Sequence, residues 1–368
     1  MGGVFGGVSV LIWRRRLSGR LGGQLLRHYG ETDFITGLRA IAAMMVVCIH
    51  TGGFSEFSWI GQNVTEAGKY GVQVFFVISG YTIAATWYSG NGYRDFLVRR
   101  MARIAPTYWA IIAIAAILFH AGLIPAPHFL TEFGMEMGSY NLLMHASFLS
   151  FLDYRIANSV LGVEWTIPIE VFWYAVLPLL LARVTSLRGF AIWLVGLLFL
   201  AALTRAVFGA LDVSVAAKWF PTTFGAYFLI GAACYHVRSA GWHRVSRRAG
   251  VVMWGAVGLF FAVLIAAPPG GGALIGLATA GILIARKDST GGGVWLDSLP
   301  MRFVGTISYS VYLWHLVVVA LLGKAGLAGV QWFALVVVVT IILSTITYLA
   351  LERPTNQWGR RIAERITA

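Results

Sequence analysis

The chain of 368 residues is 58% hydrophobic and 12% charged, with a formal net charge of +13 and a mean hydropathy of +0.75. So apolar a composition excludes both a soluble globular domain and a disordered chain, and requires lipid as part of the solvent. The basic excess could suit nucleic acid, but its Lys and Arg residues fall in short joints between apolar runs, which is a membrane-orientation pattern and implies no nucleic-acid partner.

The opening MGGVFGGVSVLIWRRR places an apolar run ahead of its arginines, the reverse of a secretory signal, so residues 1–32 are assigned to a cytoplasmic N-terminal extension. Runs able to cross the hydrocarbon core, about 17 to 25 residues each, then recur. They lie at 34–52, 71–88, 104–122, 164–183, 190–209, 221–238, 250–267, 272–286, 303–322 and 331–351. The expected fold class is all-α: a polytopic integral membrane helical bundle of about ten transmembrane helices. With alternating sides, all but five of the 28 Lys and Arg residues (Lys69, Arg155, Arg205, Lys218 and Lys324) fall on one side, which makes both termini cytoplasmic. Residues 33–352 form the transmembrane domain and 353–368 a basic cytoplasmic tail.

The first span, FITGLRAIAAMMVVCIHTGGF, carries Arg39 and His50 eleven residues apart. At about 100° per residue this is close to three turns, so both side chains share one face, about 16 Å apart along the axis. Buried ionisable groups cost several kcal/mol unless they meet a cavity or a partner. They are candidate catalytic residues; otherwise Arg39 snorkels to the headgroups and His50 ends the span. In the second span, GVQVFFVISGYTIAATW, the glycines suit close helix packing, while Ser79 and Tyr81 can offer hydroxyls to a cavity. Next comes FLVRRMARIAPTYW, whose Arg99, Arg100 and Arg103 satisfy the positive-inside rule or, more sharply, bind phosphate bidentately. Pro106 suits the first turn of the third span.

The segment from Pro125 to Val163 is long for a loop. Its apolar piece, Asn141 to Leu152, is too short to span and reads as a re-entrant or interfacial helix, either roofing a cavity or lying at the headgroups. The fourth span, VEWTIPIEVFWYAVLPLLL, buries Glu170 soon after Trp165. A lone carboxylate needs a partner, with Arg39 or His50 favoured and Arg205 or His315 as alternatives. If Glu170 accepted the second imidazole N–H, it would hold His50 in one tautomer as a general base. Cys48 and Cys234 fall within spans and imply neither a disulfide framework nor a metal site. The late ISYSVYLWH supplies Tyr309, Trp314 and His315, the last either a second base or a packed histidine.

Four motifs in order, GLRAIAAMMVVCIH, GVQVFFVISGY with FLVRRMARIAPTYW, WTIPIEVFWY, and ISYSVYLWH with LERP, resemble the membrane-bound acyltransferase 3 family. The family consists of integral membrane enzymes that O-acylate bacterial surface and exported glycans. The resemblance implies a multi-pass protein of the bacterial cytoplasmic (inner) membrane, passing an acyl group, usually acetyl, from acyl-coenzyme A to a hydroxyl of a glycan or lipid-linked saccharide. Acyl-coenzyme A is then a donor substrate, and no permanently bound cofactor or metal is expected. Arg39 and His50 map onto the family's essential pair and Arg100 and Arg103 onto its paired arginines, with Arg99 beside them. His50 would take the acceptor proton or transiently carry the acyl group, while Trp165, Tyr309 and Trp314 could stack on a sugar or the pantetheine arm. Departures are Gln73 and Val171, where many relatives carry acidic residues. The rival reading is a transporter or flippase for glycans or lipid-linked sugars, which would favour internal symmetry between halves; none is visible.

Overall fold

The computed structural model describes residues 33–90, 92–246, 248–286, 295–323 and 326–367, all of them helix or helix-connecting loop with no strand among them. The N-terminal extension 1–32, Lys287 and Lys324 lie outside the described residues. In chain order the first helices are α1 (Asp33–Thr51), α2 (Trp59–Glu66), α3 (Gly71–Ser89), α4 (Tyr93–His120), α5 (His128–Glu132) and α6 (Ser139–Ala146). They are followed by α7 (Thr166–Leu181), α8 (Leu187–Ala210), α9 (Gly225–Ser239), α10 (Trp242–Val245), α11 (Ala249–Ala266) and α12 (Gly271–Ala285). The last four are α13 (Leu299–Thr306), α14 (Ser308–Leu322), α15 (Gly329–Thr347) and α16 (Arg353–Thr367).

Five helices have the length and apolarity to cross a membrane, α1, α4, α8, α11 and α15 running on into α16, and α13 with α14 makes a sixth bent by 71°. The other expected spans match α3, α7, α9 and α12. The last three have 16, 15 and 15 residues, or about 23 Å of rise against a core of about 30 Å. Helix α3 has the length, but its Gln, Ser, Thr, Tyr and Gly residues dilute its apolarity.

Position in the bundle follows from what each helix carries. The apolar stretch of α1 is 67% buried while that of α8 is 17% buried, so the helix with Arg39 and His50 lies at the centre and a helix of Leu, Phe and Val faces outward. Close approach depends on glycine. A Cβ on Gly80 of α3 would collide with the Phe228 carbonyl, and one on Gly231 of α9 with the Val77 carbonyl, so the two backbones lie in direct contact.

Helix α4 begins at Tyr93, well before the expected start of the third span, so Arg99, Arg100 and Arg103 sit on a helix rather than in a joint. The run FLVRRMARIA consists mostly of good helix formers and carries the helix through Pro106, which is internal and not in the first turn as expected. At the other end of the chain a π-helical turn, Tyr348–Glu352, joins α15 to α16. The expected basic tail is helical from Arg353 and packs on α4, with Gly359 against Ala102 and Ala363 fully buried.

The loop segment 121–165 folds into a compact cap containing α5, α6 and a short 3-10 turn at Ser150–Leu152. Its organising group is Glu164, which is fully buried and accepts the backbone N–H groups of Val160, Leu161 and Val163 at 2.6, 3.0 and 3.0 Å. His145 Nε2, also fully buried, stands 3.3 Å from the same carboxylate. At the rim of the cap Arg155 grips Asp153 through two side-chain hydrogen bonds of 2.9 and 2.7 Å and holds its carboxyl below the usual carboxylate range.

Candidate active site

Two adjoining cavities run into the bundle. The larger, about 440 Å³, lies between α1, α3, α4 and α16 and is lined by Arg39, Arg99, Arg100, Arg103 and Arg360 together with Glu352. The smaller, about 60 Å³, is lined by Ser79, Glu170, Tyr174, Tyr309 and Tyr312. Arg39 and Arg103 line both, so they stand where the two meet.

The arginines are not equivalent. Arg99 is tied to Asp95 one turn back at 2.8 Å. Arg100 is buried, and its Nη2 donates to the Thr82 carbonyl and, at 2.5 Å, to Thr86 Oγ1. Its guanidinium also lies 5.5 Å from the Tyr174 ring centroid and 5.7 Å from that of Phe96. Its charge faces the cavity, but part of its fork is spent clamping α3. Arg39 and Arg103 are half-buried and have no side-chain hydrogen bond or ion pair among the described residues. Glu170 and Glu352 offset these charges without direct contact, and the surplus of arginine over carboxylate around the junction still makes it an anion-attracting centre.

Glu170 Oε1 accepts from Ser79 Oγ and, at 2.7 Å, from Tyr174 Oη. It therefore does not hold the His50 imidazole, as the sequence had suggested. Glu170 lines a cavity with Arg39, near the start of α1, whereas His50 lies about three turns further along that helix. The partner of His50 is His315. The two rings have centroids 5.1 Å apart, with His315 Nε2 3.1 Å from His50 Nδ1. His50 Nδ1 is also 2.8 Å from the Val46 carbonyl, and His315 Nδ1 is 2.6 Å from the Tyr312 carbonyl. Carbonyls only accept, so in the neutral rings both Nδ1 atoms carry hydrogen. His315 Nε2 is then an acceptor and His50 Nε2 is left with its lone pair, on a ring that is exposed while His315 is fully buried.

Between the junction arginines and this pair stands Tyr312, whose ring is 6.0 Å from that of Phe75 and 5.9 Å from that of His315. Its hydroxyl accepts from Thr166 Oγ1 at 2.9 Å and donates to the Val163 carbonyl at 2.6 Å, tying α14 to the cap. No residue of 125–163 lines either cavity, so the cap is not their roof.

The remaining expected site residues divide. Ser79 and Tyr309 line the smaller cavity, with Tyr309 Oη anchored to the Ile104 carbonyl at 2.9 Å; Tyr81 lines the larger one, edge-on to Tyr235. Trp165 and Trp314, expected to stack on substrate, line neither. Trp165 packs against Phe76 and Phe224, and Trp314 is buried with Nε1 bonded to Thr347 Oγ1 at 2.9 Å. The enclosed Trp314 indole serves packing and has no face left for a sugar, while Trp165 is half-buried.

Glu352 and Tyr174 were missed. Glu352 is the acidic residue of LERP, turned into the larger cavity by the π-helical turn and bonded to Ser310 Oγ at 2.9 Å. The signal available for it was a carboxylate immediately after an apolar span.

The acyltransferase-domain family, Acyl_transf_3, matches residues 32–349. The chain is 27% identical to YrhL of Bacillus subtilis (strain 168) over 91% of its own length and 56% of that protein's. It is 29% identical to the exopolysaccharide production protein ExoZ of Rhizobium meliloti (strain 1021), over 82% of this chain and 93% of ExoZ. Against the peptidoglycan O-acetyltransferase OatA of Listeria monocytogenes the identity is 25%, over 88% of this chain and 56% of OatA. The chain thus spans just over half the length of two of these three relatives. No solved structure matches. With the family's domain covering the smaller cavity, the histidine pair and all of the larger cavity's lining except Glu352, Asn356 and Arg360, the chain belongs to the acyltransferase 3 family.

Proposed function

We propose that the chain is an O-acyltransferase of the bacterial inner membrane that moves an acetyl or similar acyl group from acyl-coenzyme A to a hydroxyl of an exported or surface glycan. The observation that carries this is the junction of the two cavities at Arg39 and Arg103, half-buried guanidinium groups that make no side-chain hydrogen bond or close ion pair among the described residues and outnumber, with their neighbouring arginines, the carboxylates Glu170 and Glu352. In the ten-span reading α3, α7, α9 and α12 complete the bundle beside the six apolar spans, both termini are cytoplasmic, and the larger cavity with its five arginines faces the cytoplasm. A donor with several phosphates suits that cavity. Its flexible thioester arm extends past Arg39 and Ser79 toward the wall formed by Phe75 and Tyr312.

At the far end His50 acts as the base. Its Nε2 takes the proton of the acceptor hydroxyl as that oxygen attacks the thioester carbonyl, the carbon–sulfur bond breaks, and the departing thiolate takes the proton back. The rise of about 16 Å from Arg39 to His50 separates charge recognition from chemistry, so the donor meets an acceptor arriving from the opposite face. Glu170, held by Ser79 and Tyr174, lies beside the junction arginines and limits how much positive charge the arm must pass.

The test is His50→Ala in a host lacking its own enzyme, at matched membrane expression. Isotope-labelled acetyl transfer from acetyl-coenzyme A to the host's surface glycan should fall by about 10² to 10⁴-fold. Unchanged transfer would remove His50 from the chemistry, and absence of transfer in the unmodified protein would favour glycan transport.

A further inference from the structure

His315 is a fully buried imidazole, and packing alone would be served at lower cost by an apolar ring. Its polar geometry is directed. The Tyr312 carbonyl, 2.6 Å away, binds Nδ1–H and leaves Nε2 with its lone pair aimed at His50 Nδ1, 3.1 Å distant. From this arrangement we infer that His315 is a positioning residue for His50, a neutral acceptor that fills the place a carboxylate holds in hydrolase triads; the inference rests on the reading of His50 as base.

The chemistry distinguishes the two kinds of acceptor. A carboxylate at 3.1 Å would favour the protonated ring already in the resting state, when the base must be empty to accept a proton. A neutral imidazole exerts no such pull. When the acceptor's proton arrives on His50 Nε2, the Nδ1–H···Nε2 contact becomes a charge-assisted hydrogen bond, roughly twice as strong as the neutral one. The stabilisation therefore grows as charge develops, which is the condition for lowering a barrier rather than tightening substrate binding. The Val46 carbonyl, 2.8 Å from the same Nδ1, shares this hydrogen and fixes the tautomer, but it comes from the same helix turn and cannot set the ring's tilt. His315, reaching across from α14, does so at an interplanar angle of 39°.

Three side chains at position 315 of the chain separate an acceptor from mere packing. With labelled acetyl-coenzyme A and isolated host glycan, His315→Leu should lower kcat about 10 to 100-fold while KM for acetyl-coenzyme A stays within about twofold. His315→Gln, whose amide oxygen can accept the His50 hydrogen, should recover most of that loss, and His315→Phe, which keeps the ring volume without the acceptor, should behave as Leu. In a His50→Ala background His315→Leu should cause no further loss of residual transfer. Equal rates for Leu and wild type, or Gln no better than Phe at equal thermal stability, would overturn the proposal. A further loss in the His50→Ala background would also overturn it, since His315 would then act independently.

A spectroscopic readout stands beside these. In protein carrying ring-¹⁵N histidine in lipid nanodiscs, a protonated nitrogen of one ring and a bare nitrogen of another should show an inter-residue through-space ¹⁵N–¹⁵N correlation, distinct from the intra-ring ones, that disappears in both His50→Ala and His315→Leu. Its absence in the wild type refutes the pairing whatever the variants do. If instead the correlation is present and His50→Ala transfers normally, the pairing stands and the role of His50 as base fails.

Discussion

His145 in the cap and His50 on α1 have the same local arrangement: each places Nδ1 near the carbonyl four residues back, at 2.9 and 2.8 Å. They part at the rest of the ring. His145 Nε2 is sealed 3.3 Å from Glu164, a carboxylate already holding three backbone N–H groups, with no exposure on either partner. His50 instead shares its Nδ1–H with a neutral imidazole and is an exposed residue. The two carboxylates six residues apart repeat the contrast. Glu164 uses both oxygens on the backbone of its own loop, whereas Glu170 receives both side-chain donors on Oε1 alone and keeps Oε2 for the cavity it lines. A carboxylate with both oxygens on backbone donors builds structure, and one with unused capacity at a cavity wall is available for chemistry.

Isosteric substitution is the sharpest way to break this comparison. Glu164→Gln replaces an acceptor oxygen by NH₂ facing backbone donors, so it should cost about 3 kcal/mol, read as a fall in thermal unfolding temperature in detergent; a loss below about 1 kcal/mol would make the cap's anchor lie elsewhere. Next in size, Arg103→Ala should raise KM for acetyl-coenzyme A by about 30-fold, the equivalent of a charge-assisted bond of about 2 kcal/mol, with the unfolding temperature nearly unchanged. A lowered kcat at constant KM would instead put Arg103 at the chemical step. Glu170→Gln keeps the oxygen that Ser79 and Tyr174 use, so stability should move by less than about 1 kcal/mol, in contrast to Glu164→Gln.

The smallest effect belongs to Asp153, at the rim of the cap. Because Arg155 depresses its carboxyl pKa, the pair's contribution is present above the usual carboxylate range and lost as pH falls through the lowered value. Solvent screens so open a pair, and Asp153→Asn should change the unfolding temperature at neutral pH by about 1 °C or less. A change of several degrees there would mean that the cap depends on its rim as much as on Glu164.

Much of the fold was legible because hydropathy is local. The run 34–52 was expected as a span and α1 covers Asp33–Thr51, and 190–209 corresponds to Leu187–Ala210. The start of α4 was not legible, since an amphipathic arginine-rich turn scores as a joint by hydropathy although its residues favour helix. Within the candidate site, Arg39, Arg103, Ser79, Glu170 and Tyr309 could be picked out as polar groups in or beside apolar spans, and the structure gathers them at two adjoining cavities. Trp165 and Trp314 line neither cavity, a distinction hidden in the sequence because an aromatic residue looks the same there whether its face meets a ligand or a neighbouring ring.

The amino-acid order by itself determined that this is a membrane-embedded, all-helical chain with ionisable groups on one face of its first long helix, because composition, spacing and the helical period are properties of neighbouring residues. Which group serves which could be decided only by the tertiary structure. The pairing of His50 with His315, the turning of Glu352 into the larger cavity and the three backbone hydrogen bonds of Glu164 depend on where separate helices and loop turns meet. Hydrogen bonds act over about 3 Å, and helix packing brings residues 265 positions apart within that range.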